Sequence, residues 1–182
     1  MSVEKHPIDE VIRGRRTVHI YEKTSIAKED VIESLQLALT APNHKFTFPW
    51  KFIVVGEETR QKIFDLCVAK SPGKEEKLRA KILNPGALVV FCCKKSEDPF
   101  TAREDYASVS IAIQNYCLAM AARGYYSKWS TGKMTTWQET YEALSVDESI
   151  DEIVGFVFAG SPAVAIPPQR RPLLDDVLTE LA

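Results

Sequence analysis

The strongest constraint in the chain is the run over residues 87–93, ALVVFCC, seven apolar residues with no polar break. A run of that length is far too short to span a bilayer and reads as a strand buried in a core. The turn Asn84-Pro85-Gly86 stands directly before it. A second such run, over 153–159, is followed by Gly160-Ser161-Pro162. Residues 51–55, which also read as buried, and residues 125–131 supply two further strands. Helical periodicity fills the intervals. A helix over 7–13 opens at Pro7, and Gly14 offers it a left-handed stop. A helix over 28–39 carries Val31, Ile32, Leu35 and Leu39 on one face, and another covers 57–69. Ser71-Pro72 restarts a short charged helix to about residue 82.

The longest helical pattern runs from 101 to about 123, with Thr101 and Glu104 as its capping box. Val109, Ile113, Tyr116, Cys117 and Met120 share one face. Ile111 and Leu118 make the opposite side apolar too, which predicts a central buried helix. Gly124 ends it. Thr136 and Glu139 cap a further helix to about 144. Strands alternate with helices, and about four strands are visible, so the expected class is a mixed α+β sandwich in a single domain over 1–182.

Several function classes are excluded early. A formal net charge of -2 gives no electrostatic case for nucleic acid or an anionic membrane as partner. There is no GxGxxG, GxxxxGK[ST] or GxSxG, and His6, His19 and His44 lack metal-ligand spacing. No metal is therefore expected. The first ten residues, MSVEKHPIDE, have no apolar leader core, so the expected location is the cytosol. The four cysteines form no CxxC and read as buried free thiols.

The candidate chemistry lies in three places. Arg15-Arg16-Thr17 follows the first helix stop, and two guanidiniums with a hydroxyl make an anion clamp. The same triplet also reads as a solvated basic pair at a helix C-terminus. Residues 41–50, APNHKFTFPW, pack His44, Lys45, Phe46, Phe48 and Trp50 between two prolines. That much aromatic mass suits a platform for a flat, partly polar ligand. Trp50 reads as core, Phe46 and Phe48 as core or pocket wall, and His44 and Lys45 as polar groups facing a ligand or solvent. Third, Lys128 precedes Trp129-Ser130-Thr131-Gly132, whose hydroxyls and glycine satisfy a heteroaromatic edge or simply form a sheet-edge strand. After residue 161 the chain becomes an extended, proline-rich tail containing Arg170-Arg171, an exposed basic pair by default.

The order of these signals, RRT, then APNHKFTFPW, then WST, then GFVFAGSP and RRPL, resembles the flavin-dependent nitroreductase family over almost the whole chain. It is most similar to the small NAD(P)H nitroreductases. The resemblance implies a nitroreductase-like three-layer sandwich, with a mixed but mainly antiparallel sheet of four to five strands flanked by helices. It implies FMN as cofactor and NAD(P)H as co-substrate, with nitroaromatics, quinones or similar electron-poor acceptors reduced by ping-pong turnover. Arg15, Arg16 and Thr17 match the FMN-binding triplet. Thr40 and His44 match positions approaching the flavin, Trp129, Ser130 and Thr131 a late flavin-contacting segment, and Arg170 a phosphate-reaching tail residue, with Arg171 competing for that role. A homodimer is implied, with FMN at the interface and the tail, 162–182, on the partner. Many members have Asn and Gln where Phe46 and Phe48 stand, so polar contacts to the flavin ring from those positions, and the family's substrate preferences, do not carry over to this chain. A non-catalytic flavin-binding sensor or store on the same scaffold is the alternative.

Overall fold

A computed structural model describes residues 6–181, so the first five residues, half of the stretch read above for a leader core, and the last tail residue lie outside the described part. The inner strands of its sheet are β2 (Ala87–Lys94) and β4 (Asp151–Gly160). The edges are β1 (Trp50–Val54) and β3 (Tyr126–Ser130), in the order β1-β2-β4-β3, and each neighbouring pair is antiparallel. The inner strands are the two uninterrupted apolar runs because both of their faces are covered. On one face Leu88, Val90, Phe156 and Phe158 pack with Ile63 and Phe64 of α3 (Glu57–Ala69), Ile82 of α4 (Glu75–Ile82) and Tyr141 of α6 (Gln138–Leu144). On the other, Val89, Phe91, Val157 and Ala159 meet Val31 and Leu35 of α2 (Lys28–Ala38) and Val109, Ile113 and Met120 of α5 (Pro99–Ala122). The three-layer sandwich is formed. Among the described residues no helix is long and apolar enough to cross a membrane, and all four cysteines are free and buried.

One irregularity interrupts the sheet. The register of β2 against β4 passes from Phe91↔Gly155 to Cys92↔Ile153. Val154 is therefore an extra residue, a β-bulge, and its side chain joins the α5 side of the core.

Several local expectations are corrected. β1 is an edge strand, so Trp50 is only half-buried and Lys51 and Val54 are exposed. Gly14 remains helical at the end of α1 (Pro7–Gly14), and the extended Arg15 terminates that helix instead. α5 begins two residues early, at Pro99. Its cap is Asp98, whose carboxylate accepts from the backbone N–H of Thr101 at 3.0 Å and from its hydroxyl at 2.6 Å. Thr136 donates its hydroxyl to the Lys133 carbonyl at 3.0 Å, so Trp137, not Thr136, occupies the N-cap of α6. α5 is not buried all round, since Tyr106 and Ile111 remain exposed. Gly124 does end it, at φ 82°.

The 41–50 loop is held in a costly backbone state. Lys45, Phe46 and Phe48 have φ of 56°, 53° and 47°, a region that costs a residue with a Cβ roughly 1–2 kcal/mol. Asn43 supplies the compensation. Its amide donates to Thr47 Oγ1 at 2.9 Å and Ser108 Oγ at 3.3 Å, and its carbonyl oxygen accepts from the backbone of Phe48 at 2.8 Å. Thr47 also donates to the buried carboxylate of Asp105. The result presents Phe46 and Phe48 outward, at 76% and 62% exposure, so neither is core. Their ring centroids are 6.0 Å apart, and Trp50 follows at 6.3 Å from Phe48. Asn43→Ala strips these ties and is expected to cost roughly 1–3 kcal/mol in urea denaturation. An unchanged midpoint would show that the loop is held by something else.

Candidate functional site

Past α1 the chain lies against the edge strand β3. The backbone N–H of Val18 donates to the Ser127 carbonyl at 3.4 Å, and Thr17 forms a parallel bridge with Ser127. Val18 and Tyr21 are buried, and the Tyr21 hydroxyl donates to the Phe158 carbonyl at 3.2 Å. These anchors hold 15–20 in place. The tail then pairs back onto the same segment, with Glu22 N–H donating to Ser161 at 3.1 Å and Ala163 N–H to Ile20 at 3.0 Å. A cleft of about 300 Å³ opens between them, with Arg16, Thr17 and His19 on one wall and Val164, Ile166 and Gln169 on the other.

The charge around His19 is one-sided. Its Nδ1 lies 2.9 Å from Lys128 Nζ. Lys128 depresses the basicity of the imidazole most, followed by burial and then Lys81 and Lys77 of α4. Burial, then Lys81 and Lys77, lower the pKa of Lys128 as well. Lys81 is held below the usual lysine range by burial; its ammonium lies 5.6 Å from the Phe158 ring centroid and 4.0 Å from the Met134 sulfur. Among the described residues no carboxylate pairs with Lys77, Lys81, Lys128 or His19. Half-buried lysines without counter-ions are costly unless an anion completes them. Such a cluster beside an apolar-walled cleft can bind a flat, anionic ligand.

The sequence-derived candidates fall into separate groups. Arg16 and Thr17 line the cleft. Arg16 also donates to the carbonyls of Arg13 and Arg15, so it serves the helix C-terminus within the chain. Arg15 is half-buried and lies close enough to the Cys117 thiol to favour its ionisation. Trp129 lies over the bulge in β4, and its indole N–H donates to the Val154 carbonyl at 3.4 Å. A Cβ on Gly155 would sit 2.1 Å from that indole nitrogen, so the glycine makes the ring's position possible. Ser130 is buried and Thr131 exposed. Arg170 is exposed, one residue beyond the cleft wall, while Arg171 donates to Gln169 Oε1 at 2.7 Å.

Thr40 and His44 stand elsewhere. Thr40 donates to Leu37 at 2.8 Å and accepts from Asn115 of α5 at 3.5 Å. His44 lies 3.9 Å from Glu104 and borders a groove with Pro42, Ser108 and Ile111. Glu104 and the Cys117 that Arg15 influences are separated by about 20 Å of helix axis. Within one chain, therefore, the two halves of the expected site do not share a cleft.

His19, Lys77 and Lys81 were missed from the sequence. The signals were present. His19 follows Thr17 by two residues in an extended stretch, and Lys77 and Lys81 are one helical turn apart on the same face.

Comparison with known proteins agrees with this architecture. The model of the Nitroreductase family matches residues 12–161. Bacillus subtilis YfhC, provisionally named an NAD(P)H nitroreductase, is 26% identical, with 99% of this chain and 97% of that one aligned. A nitroreductase-like family protein from Bacillus cereus superposes with a TM-score of 0.86 at 24% identity, covering 100% of this chain and 99% of the other. A Desulfovibrio desulfuricans protein, provisionally named a nitroreductase and solved in complex with FMN, gives a TM-score of 0.77 at 20% identity over 97% and 98% of the two chains. With the family's pattern running from the end of α1 through the last strand, the chain is an oxidoreductase of the nitroreductase family.

Proposed function

We propose that the protein is an FMN-dependent oxidoreductase that uses NAD(P)H to reduce nitroaromatics, quinones or similar electron-poor acceptors. The observation that carries this reading is the group of His19, Lys81 and Lys128, paired with no carboxylate among the described residues, beside the cleft of Arg16 and Thr17. The donor set fits FMN. Guanidiniums and a hydroxyl suit a phosphate ester, ammonium groups suit the electron-rich edge of a flavin, and Val164 and Ile166 supply an apolar wall. The FMN complex of the Desulfovibrio protein, on the same fold, supports the choice of cofactor.

When bound, FMN supplies the redox chemistry, taking hydride from NAD(P)H and passing it to an acceptor that uses the site in turn. The chain's own residues bind and orient. Arg15, Arg16 and Thr17 hold the phosphate, with Arg170 or Arg171 reaching it from the tail. Lys81, Lys128 and His19 favour the negative charge that accumulates during turnover. Trp129, Ser130 and Thr131 border the ring, and no side chain is assigned as catalytic acid or base.

The separation of Thr40 and His44 from Arg16 and Thr17 supports a homodimer in which each site takes one group from each chain. Exposed apolar surface on α5 (Tyr106, Ile111), in the aromatic loop and on tail residues Leu173, Leu174 and Val177 supports it too. Light scattering at micromolar concentration is expected to give a dimer, and a flavin-loaded monomer would contradict the shared site.

The purified protein is expected to show a flavin absorption band that bleaches under anaerobic NADH or NADPH, which also names the donor. A band that persists with both would make it a flavin carrier rather than a reductase. Arg15→Ala combined with Arg16→Ala is expected to weaken FMN binding about tenfold or more, since charge-assisted contacts are lost. Unchanged affinity in that variant, with its helical circular dichroism intact, would remove the phosphate-clamp assignment.

A further inference from the structure

The 2.9 Å approach of His19 Nδ1 to Lys128 Nζ has a stoichiometric consequence. A hydrogen bond between two nitrogens needs a lone pair on one of them, so an imidazolium and an ammonium cannot both be present in it. The pair holds one proton fewer than two separate cations would. Among the described residues the charged groups that act on it all have the same sign. Lys77 and Lys81 act on both members from α4, Arg16 lines the cleft with His19, and no described carboxylate pairs with either. His19 is exposed to the cleft side, whereas Lys128 is half-buried.

We infer that His19 and Lys128 act as a one-proton charge buffer in the wall of the cleft. Without an anion nearby the pair keeps a single proton between its two nitrogens. Seating the negative charge of a ligand there draws a second proton from solvent, the N–N hydrogen bond breaks, and both cations face the anion. The ligand class is an anionic flavin nucleotide, and the inference rests on the FMN reading of the cleft. The depressed basicity of both groups agrees with it, since the neighbouring lysines oppose the second proton until an anion offsets them. The sign follows. The complex holds the second proton more tightly than the free protein does, so affinity for FMN rises as pH falls through the pKa of the complex. It levels off below that of free His19, which lies under the ordinary histidine value.

Isothermal titration of the flavin-free protein with FMN at pH 7, in buffers of different ionisation enthalpy, reads this directly. Wild type is expected to take up about one proton per FMN bound. His19→Asn keeps an oxygen to accept from Lys128 but cannot titrate, and it is expected to bind FMN with that uptake lost. Riboflavin, which lacks the phosphate and is uncharged when oxidised at pH 7, is expected to bind without the uptake, and equal uptake with riboflavin overturns the charge buffer. Binding with no buffer dependence in wild type, or full uptake surviving in His19→Asn, overturns the charge buffer alone. Failure of wild type to bind FMN overturns the cofactor reading with it.

Discussion

Everything in this molecule depends on the pairing of β2 with β4 as strands covered on both faces. Eight residues of β2 align with β4, with one extra residue accommodated by the bulge. Burial of both faces requires two helical layers, and each layer contributes one part of the candidate site. The α3–α4–α6 layer brings Lys77 and Lys81 toward His19 and Lys128. The α2–α5 layer carries Thr40 and His44. The sheet thereby divides the polar chemistry of the chain, and its edge strand β3 is where residues 15–20 and the tail gather.

Legibility from sequence followed the density of the physical signal. The inner strands were readable because seven apolar residues in a row have few other solutions. α5 was readable through its 3.6-residue apolar period, but its exposed flank was not, because exposed apolar residues such as Tyr106 and Ile111 look like core in a periodic pattern. β1 was misjudged as buried because an aromatic edge strand has nearly the composition of an inner one. The caps at Thr101 and Thr136 failed for a local reason: an aspartate and a turn carbonyl nearby were better partners for their hydroxyls.

At the site, Arg16 and Thr17 were visible as a triplet pattern, and the structure does bring them to a cleft. The lysine group was invisible as a group, because its members come from 77, 81 and 128 and meet only after the sheet is assembled. The left-handed backbone at Phe46 and Phe48 also had no signature, since neither residue type favours that region. Only the adjoining Asn43 hinted at a turn. The bulge at Val154 was marked by Gly155, whose lack of a side chain is explained by a tryptophan lying far away in sequence.

The buried cysteines have a bearing on electron flow. Burial, more than any neighbouring charge, pushes the thiols of Cys92 and Cys93 up to about 12, and Cys67 and Cys117 are raised by the same cause. At neutral pH hardly any thiolate exists, and none of these sulfurs lies at the surface. The polypeptide thus offers no ready two-electron donor of its own. Burial keeps these four sulfurs out of thiol exchange with anything that enters the cleft.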